Sequence, residues 1–106
     1  KKVDLTTTSA TTLYTVPDAT TAIIKSILVS EDSGNADTIT VTITDTADAV
    51  FSLFKTKSIS ANGTTELLTA PLVLQQNEVL KVTAATANRL HVVLSALQSK
   101  PREVIT

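Results

Sequence analysis

Apolar and hydroxyl side chains alternate strictly over residues 38–44, which read Thr-Ile-Thr-Val-Thr-Ile-Thr. A strand sends successive side chains to opposite faces, so Ile39, Val41 and Ile43 define an apolar face and the threonines a hydroxyl face. Every residue in the run is β-branched, which suits a pleated, half-buried surface and disfavours helix.

The same reading extends along the chain. Residues 11–16 form a short strand anchored by Leu13 and Val16, and Pro17-Asp18 ends it with turn chemistry. Residues 21–30 are apolar in both phases, with Ile23, Ile27 and Val29 in one and Ile24 and Leu28 in the other. A strand covered on both sides has this pattern. A long loop or a second subunit would supply the second cover, which makes Ile24 and Leu28 candidate interface residues. Residues 49–55 place Ala49, Phe51 and Leu53 on one face and Val50, Ser52 and Phe54 on the other. Phe54, on the more polar side, is a candidate interface anchor. Residues 57–61 form a short extended piece, and Asn62-Gly63 predicts a tight hairpin turn. Strands follow at 64–69, 72–74, 78–84 and 89–98; the last points Leu90, Val92, Leu94 and Ala96 inward and His91, Val93, Ser95 and Leu97 outward.

Strands at intervals of about 8–12 residues, without a helical period, predict an antiparallel β-sandwich of about eight strands, jelly-roll or immunoglobulin-like. Residues 11–98 form the single domain. Residues 1–10 read as a polar N-terminal arm, or an edge segment that orders against a neighbour, and 99–106 as a tail.

Composition narrows the chemistry. Threonine occurs 20 times among 106 residues, and the only aromatics are Tyr14, Phe51 and Phe54. Cysteine is absent, which excludes disulfides, thiol nucleophiles and thiolate metal sites. Net charge is −1 with scattered charges, so no basic patch favours nucleic acid. Apolar runs are too short for a membrane span, and Lys1-Lys2 is not followed by the apolar stretch of a secretory leader.

Single His91 lies within a strand, without a recognisable nucleophile motif or orienting acid. The carboxylates fall mostly at turns. Glu31, Asp32 and Asp37, with Asn35, offer oxygen ligands for Ca²⁺, but their spacing departs from a calcium loop, and a solvated hairpin loop is the plainer reading. With Gly34 and Gly63 the only glycines, a phosphate-cradling loop is not expected. The chain therefore reads as non-enzymatic, without cofactor or metal. The neutral threonine rows are flat surfaces for packing against protein, with Thr40 and Thr42 as candidate contacts. Sugar binding is weakened by the shortage of stacking aromatics, with Tyr14 the one available.

Three strings carry a family likeness: residues 13–27 (Leu-Tyr-Thr-Val-Pro-Asp-Ala-Thr-Thr-Ala-Ile-Ile-Lys-Ser-Ile), 66–74 (Glu-Leu-Leu-Thr-Ala-Pro-Leu-Val-Leu) and 77–84 (Asn-Glu-Val-Leu-Lys-Val-Thr-Ala). Together they resemble small β-sandwich virion structural proteins of tailed bacteriophages. The likeness spans residues 11–98 and is one of layout rather than of a catalytic motif. It implies a capsid decoration (cement) protein in the virion, or a neck, tail or fibre-associated module. Its partners would be major capsid or neck and tail subunits and further copies of itself, with a trimer as the expected form; neither nucleic acid nor membrane is expected as a partner. A carbohydrate- or receptor-binding sandwich is the alternative.

Overall fold

Among the described residues nine strands form, and they pair as nested brackets. The computed structural model describes residues 1–100. The strands are β1 (Lys2–Asp4), β2 (Thr11–Thr15), β3 (Thr21–Glu31), β4 (Asp37–Thr44), β5 (Val50–Ile59), β6 (Thr64–Glu66), β7 (Leu72–Leu74), β8 (Val79–Ala84) and β9 (Leu90–Ser99). β1 pairs with β9, β2 with β8, β3 with β6 and β7, and β4 with β5, all antiparallel. The chain is thus one long hairpin with its tip at 45–49, rolled up so that β3 also pairs with β9 and β4 with β8. Rolling yields a sheet ordered β1-β9-β3-β6, with β7 also on β3, and a sheet ordered β2-β8-β4-β5. Two such sheets built from a rolled hairpin are the jelly-roll form of the β-sandwich.

The core lies between the sheets. Ile39 and Val41 of β4, Leu80 and Val82 of β8, Ile24, Ile27 and Val29 of β3, and Leu90 and Val92 of β9 are fully buried. Alternation therefore assigned the inner faces of β4 and β8, and of β9 as far as Leu94, correctly; Ala96, expected inward, is exposed.

β3 differs, and its bulge explains why. Ile24 pairs with Ala96 but Ser26 with Ser95, so Lys25 is an extra residue. A bulge of this kind reverses the side-chain phase from that point. Ala22 and Ile24 face inward before it, Ile27 and Val29 after it. The two apolar phases of residues 21–30 belong to one inner face with a phase slip, not to a strand covered on both sides. Ile24 is a core residue with no exposed surface, which corrects its assignment to an interface.

Further differences concern the edges. Residues 2–4 form strand β1 on the chain's own β9, and Leu5 is fully buried, with its N–H donated to the carbonyl of Leu90 at 3.0 Å. The arm thus folds back onto its own domain. β5 runs unbroken from Val50 to Ile59 and carries two extra residues against β4, between the pairs Ile39–Lys57, Val41–Phe54 and Thr42–Ser52. The extra residue between Ser52 and Phe54 puts Phe54 on the core side, half-buried, while Phe51, paired with Ile43 beside the 45–49 tip, is 56% exposed. The Asn62-Gly63 turn closes with the Gly63 N–H donated to the Ser60 carbonyl at 2.9 Å, yet it joins β5 of one sheet to β6 of the other and makes no hairpin. Residues 101–106 of the predicted tail lie outside the described residues.

Candidate interaction surface

The outward positions of the five-stranded sheet carry the largest group of exposed aliphatic side chains. On its outer face Leu28 of β3 stands opposite Val93 of β9, and Ile23 stands between Leu97 of β9 and Val73 of β7. Leu28, Val93, Leu97 and Val73 are 37%, 45%, 52% and 53% exposed. Directly opposed side chains on one face touch across the strands, so these residues form two apolar clusters. The Ser26–Ser95 pair and the bulged Lys25 lie between them. Clustered exposed apolar side chains mark an interaction site more often than scattered single residues do. Val93 and Leu97 were assigned outward by alternation. Val73 and Ile23 were missed as surface residues because a three-residue strand has no readable phase and because the bulge was not legible.

A polar cluster borders this face at the β1 end. His91 Nε2 lies 3.6 Å from Asp4 Oδ1 and 3.5 Å from Asp32 Oδ2, with all three side chains about half exposed. The sequence offered no orienting acid for His91, because Asp4 and Asp32 reach it only through the β1–β9 pairing and the β3–β4 crossing. Exposed pairs of this kind contribute about 0–1 kcal/mol each. A shallow cavity of about 310 Å³ beside them is lined by Lys2, Val3, Asp4, His91 and Val93. Among the described residues no cluster of His, Asp or Glu side chains has the arrangement of a metal site.

Glu31 shows what the acidic loop does instead. Its carboxylate accepts backbone N–H groups from Ser33 at 2.8 Å, Gly34 at 3.0 Å, Asn35 at 3.2 Å and Asn62 at 3.0 Å, and the Ser33 hydroxyl as well. Burial works to raise its pKa, but these hydrogen bonds outweigh it and draw the group down to about 2. The loop is therefore wound around a carboxylate rather than open to a cation. Glu66 plays a similar part at the β3 bulge: its carboxylate takes the Ser26 hydroxyl and the N–H groups of Ile27 at 2.9 Å and Leu68 at 3.2 Å. Desolvation raises its pKa and the Ser26 hydroxyl leads the hydrogen bonds that lower it, the net shift being downward.

An apolar groove opens along the opposite side of the sandwich, between β5 and the segment joining β6 to β7. It measures about 310 Å³ and is lined by Leu53, Phe54, Leu67, Leu68, Pro71 and Leu72. Phe54 sits here, at the margin between the sheets rather than on a flat face. Thr40 and Thr42 occupy the outer face of the four-stranded sheet, opposite Thr83 and Lys81 of β8. Both are half-buried, and Thr40 Oγ1 accepts the Thr56 N–H at 3.0 Å, so one hydroxyl of the row is engaged within the chain. The predicted interface set thus does not come together: Leu28 lies on one outer face, Thr40 and Thr42 on the other, Phe54 in the groove and Ile24 in the core. No family model, curated protein or solved structure matches the chain.

Proposed function

We propose that the protein is a non-enzymatic structural component of a phage particle, a decoration subunit that attaches to other virion proteins through the outer face of its five-stranded sheet. The observation that carries this reading is the exposed aliphatic face formed by Ile23, Leu28, Val73, Val93 and Leu97. Its two aliphatic clusters flank Lys25 and Glu66, the latter opposite Leu28, and Lys2, Asp4 and His91 lie at its rim, so apolar patches stand within a polar border as in an interface. The layout resemblance to small virion proteins supports the same reading, while the jelly-roll form itself serves many functions and argues for none.

The carbohydrate-binding alternative loses its only candidate for stacking. Tyr14 is 7% exposed, and its hydroxyl is bonded by the Gln98 amide. The remaining well-exposed aromatic, Phe51, lies beside the 45–49 tip, away from any built polar site.

Co-sedimentation tests the proposal. The purified protein is mixed separately with heads and tails of the particles with which it is encoded. Binding to heads is expected, and Leu28→Lys and Val93→Glu, which face Glu66 and Lys2 respectively, should abolish it while leaving the melting temperature unchanged. Binding to tails alone would move the protein to a neck or tail position. Binding to neither, or undiminished binding by both variants, overturns the reading.

A further inference from the structure

The exposed edge of β9 is left open over half of its length. β1 covers β9 only as far as Leu94, which exchanges hydrogen bonds with Lys1 in both directions: the Leu94 N–H is donated to the Lys1 carbonyl at 2.7 Å, and the Lys1 ammonium to the Leu94 carbonyl at 3.0 Å. Beyond that point, Ser95 to Ser99 pair with β3 on one side, and among the described residues nothing pairs with them on the other. In an antiparallel ladder, alternate residues direct both backbone groups to the same neighbour. Leu94 bonds toward β1, so the N–H and C=O groups of Ala96 and Gln98 point outward from the open edge.

The other edges of the sandwich carry devices that block further pairing. β5 has two bulges and the charged Lys55 and Lys57. β2 has a bulge at Leu13 and is followed by Pro17. β6 and β7 are three residues each. Proteins blunt edge strands in these ways to prevent unwanted addition of strands. Ser95-Ala96-Leu97-Gln98-Ser99 has no charge, proline or bulge along its open side.

The geometry points to this segment as the seam of a two-fold dimer, in which β9 of a second copy of the chain adds antiparallel across Leu97. The inference stands independently of any role in a particle. In this register Ala96 of one copy exchanges hydrogen bonds with Gln98 of the other, and Gln98 with Ala96, so all four outward groups on each chain are satisfied. Ser95 faces Ser99, which opposes small hydroxyl side chains and no like charges. Leu97 meets its own copy at a pair without hydrogen bonds, where Cα atoms approach to about 4.5 Å. Both Leu97 side chains lie on the outer face, so the Ile23–Leu97–Val73 clusters of the two copies become one apolar surface. A shift of the register by two residues toward β1 would drive the incoming strand into Lys1. The seam is thus confined to the five open residues.

Sedimentation velocity and cysteine cross-linking test this on the 106-residue chain, which has no thiol of its own. The wild type should sediment as a dimer. Leu97→Lys places two ammonium groups against each other and should raise the dissociation constant at least ten-fold, equivalent to about 1.4 kcal/mol, with an unchanged circular dichroism spectrum. Leu97→Cys should form a disulfide-linked dimer under mild oxidation, because the facing Cα atoms lie within disulfide reach. Leu28→Cys should not, since three strand spacings across the seam and eight residues along it would separate the two sulfurs by about 30 Å. A monomeric wild type, an oligomer undisturbed by Leu97→Lys, or equal cross-linking of Leu28→Cys and Leu97→Cys would each overturn the dimer seam.

Discussion

The Glu31 carboxylate accepts the Asn62 N–H at 3.0 Å and so ties the β3–β4 crossing to the β5–β6 crossing. Both segments carry the chain from one sheet to the other at the same end of the sandwich. One buried side chain thus reinforces two crossings that the Glu31 N–H, donated to the Gly63 carbonyl at 2.9 Å, already joins. Its hydrogen bonds are made to the ionised form, which is why its pKa falls to about 2.

Stability should therefore depend on acid in a defined window. A carboxyl group whose folded pKa lies below its unfolded value contributes stability that is complete above the unfolded value and lost as pH falls toward the folded one. For Glu31 the window runs from 4.5 down to about 2, and the downward shift of Glu66 adds in the same direction. Denaturant titrations from pH 6 to pH 2 should show midpoints that fall across this range. In Glu31→Gln the midpoint at neutral pH should be lower and the acid decline shallower. An unchanged pH profile in that variant would show that Glu31 does not carry the effect.

The β3 bulge predicts opposite outcomes for two neighbouring aliphatic residues. Ile24→Ala empties a fully buried site and should cost about 2–5 kcal/mol. Leu28→Ala removes an outward side chain and should cost less than about 1 kcal/mol. Deleting Lys25 would erase the phase slip and turn either Ala22 and Ile24 or Ile27 and Val29 outward. That variant should not reach a native melting transition in calorimetry.

The N-terminal segment should behave as part of the core. Leu5 is fully exposed to neither solvent nor a neighbour; it is enclosed within its own domain. Leu5→Ala should destabilise by about 2–5 kcal/mol, and removing residues 1–5 should cost at least as much. Amide exchange at Leu94, whose N–H is held by Lys1, should accelerate in the truncated chain and not in a Thr7→Ala control.

Thr56 offers a stabilising change. It lies at a β5 bulge with φ of 50°, in the left-handed region that a β-branched side chain disfavours. Thr56→Asn retains a polar side chain while tolerating that backbone, and should raise stability by about 1 kcal/mol, a part of the roughly 1–2 kcal/mol cost of the left-handed conformation. Thermal unfolding monitored by circular dichroism is sufficient to see it, and a lowered midpoint would contradict the strain.

What the amino-acid pattern made legible was governed by phase. In β4, β8 and the first half of β9 nothing interrupts the period of two, and the inner faces could be read residue by residue. In β3 one inserted residue and in β5 two shifted the period. The same pattern then mimicked a two-faced strand around Ile24 and put Phe54 on the face opposite Phe51. The candidate surface suffered for the same reason, because Ile23 and Leu28 lie on one face only once Lys25 is recognised as extra. Asn62-Gly63 was legible as a turn but not as a crossing, since turn chemistry fixes local backbone and not which sheet receives the next strand. Asp4 and Asp32 beside His91 required the pairing of β1 with β9, a contact between opposite ends of the chain.

That pairing has a mechanical consequence. Lys1 enters and Lys100 leaves at the same end of the β1–β9 ladder, because the two strands are antiparallel and Lys1 lies opposite Leu94. Tension applied to Lys1 and Lys100 therefore falls first on two terminal rungs, the Lys1–Leu94 pair of this ladder and the Thr21–Ser99 pair of the β3–β9 ladder, which open one rung at a time. Tension applied between the broad faces acts on both sheets at once and meets the whole interlocked interior. The molecule is soft to a pull on its ends and stiff to a pull on its faces.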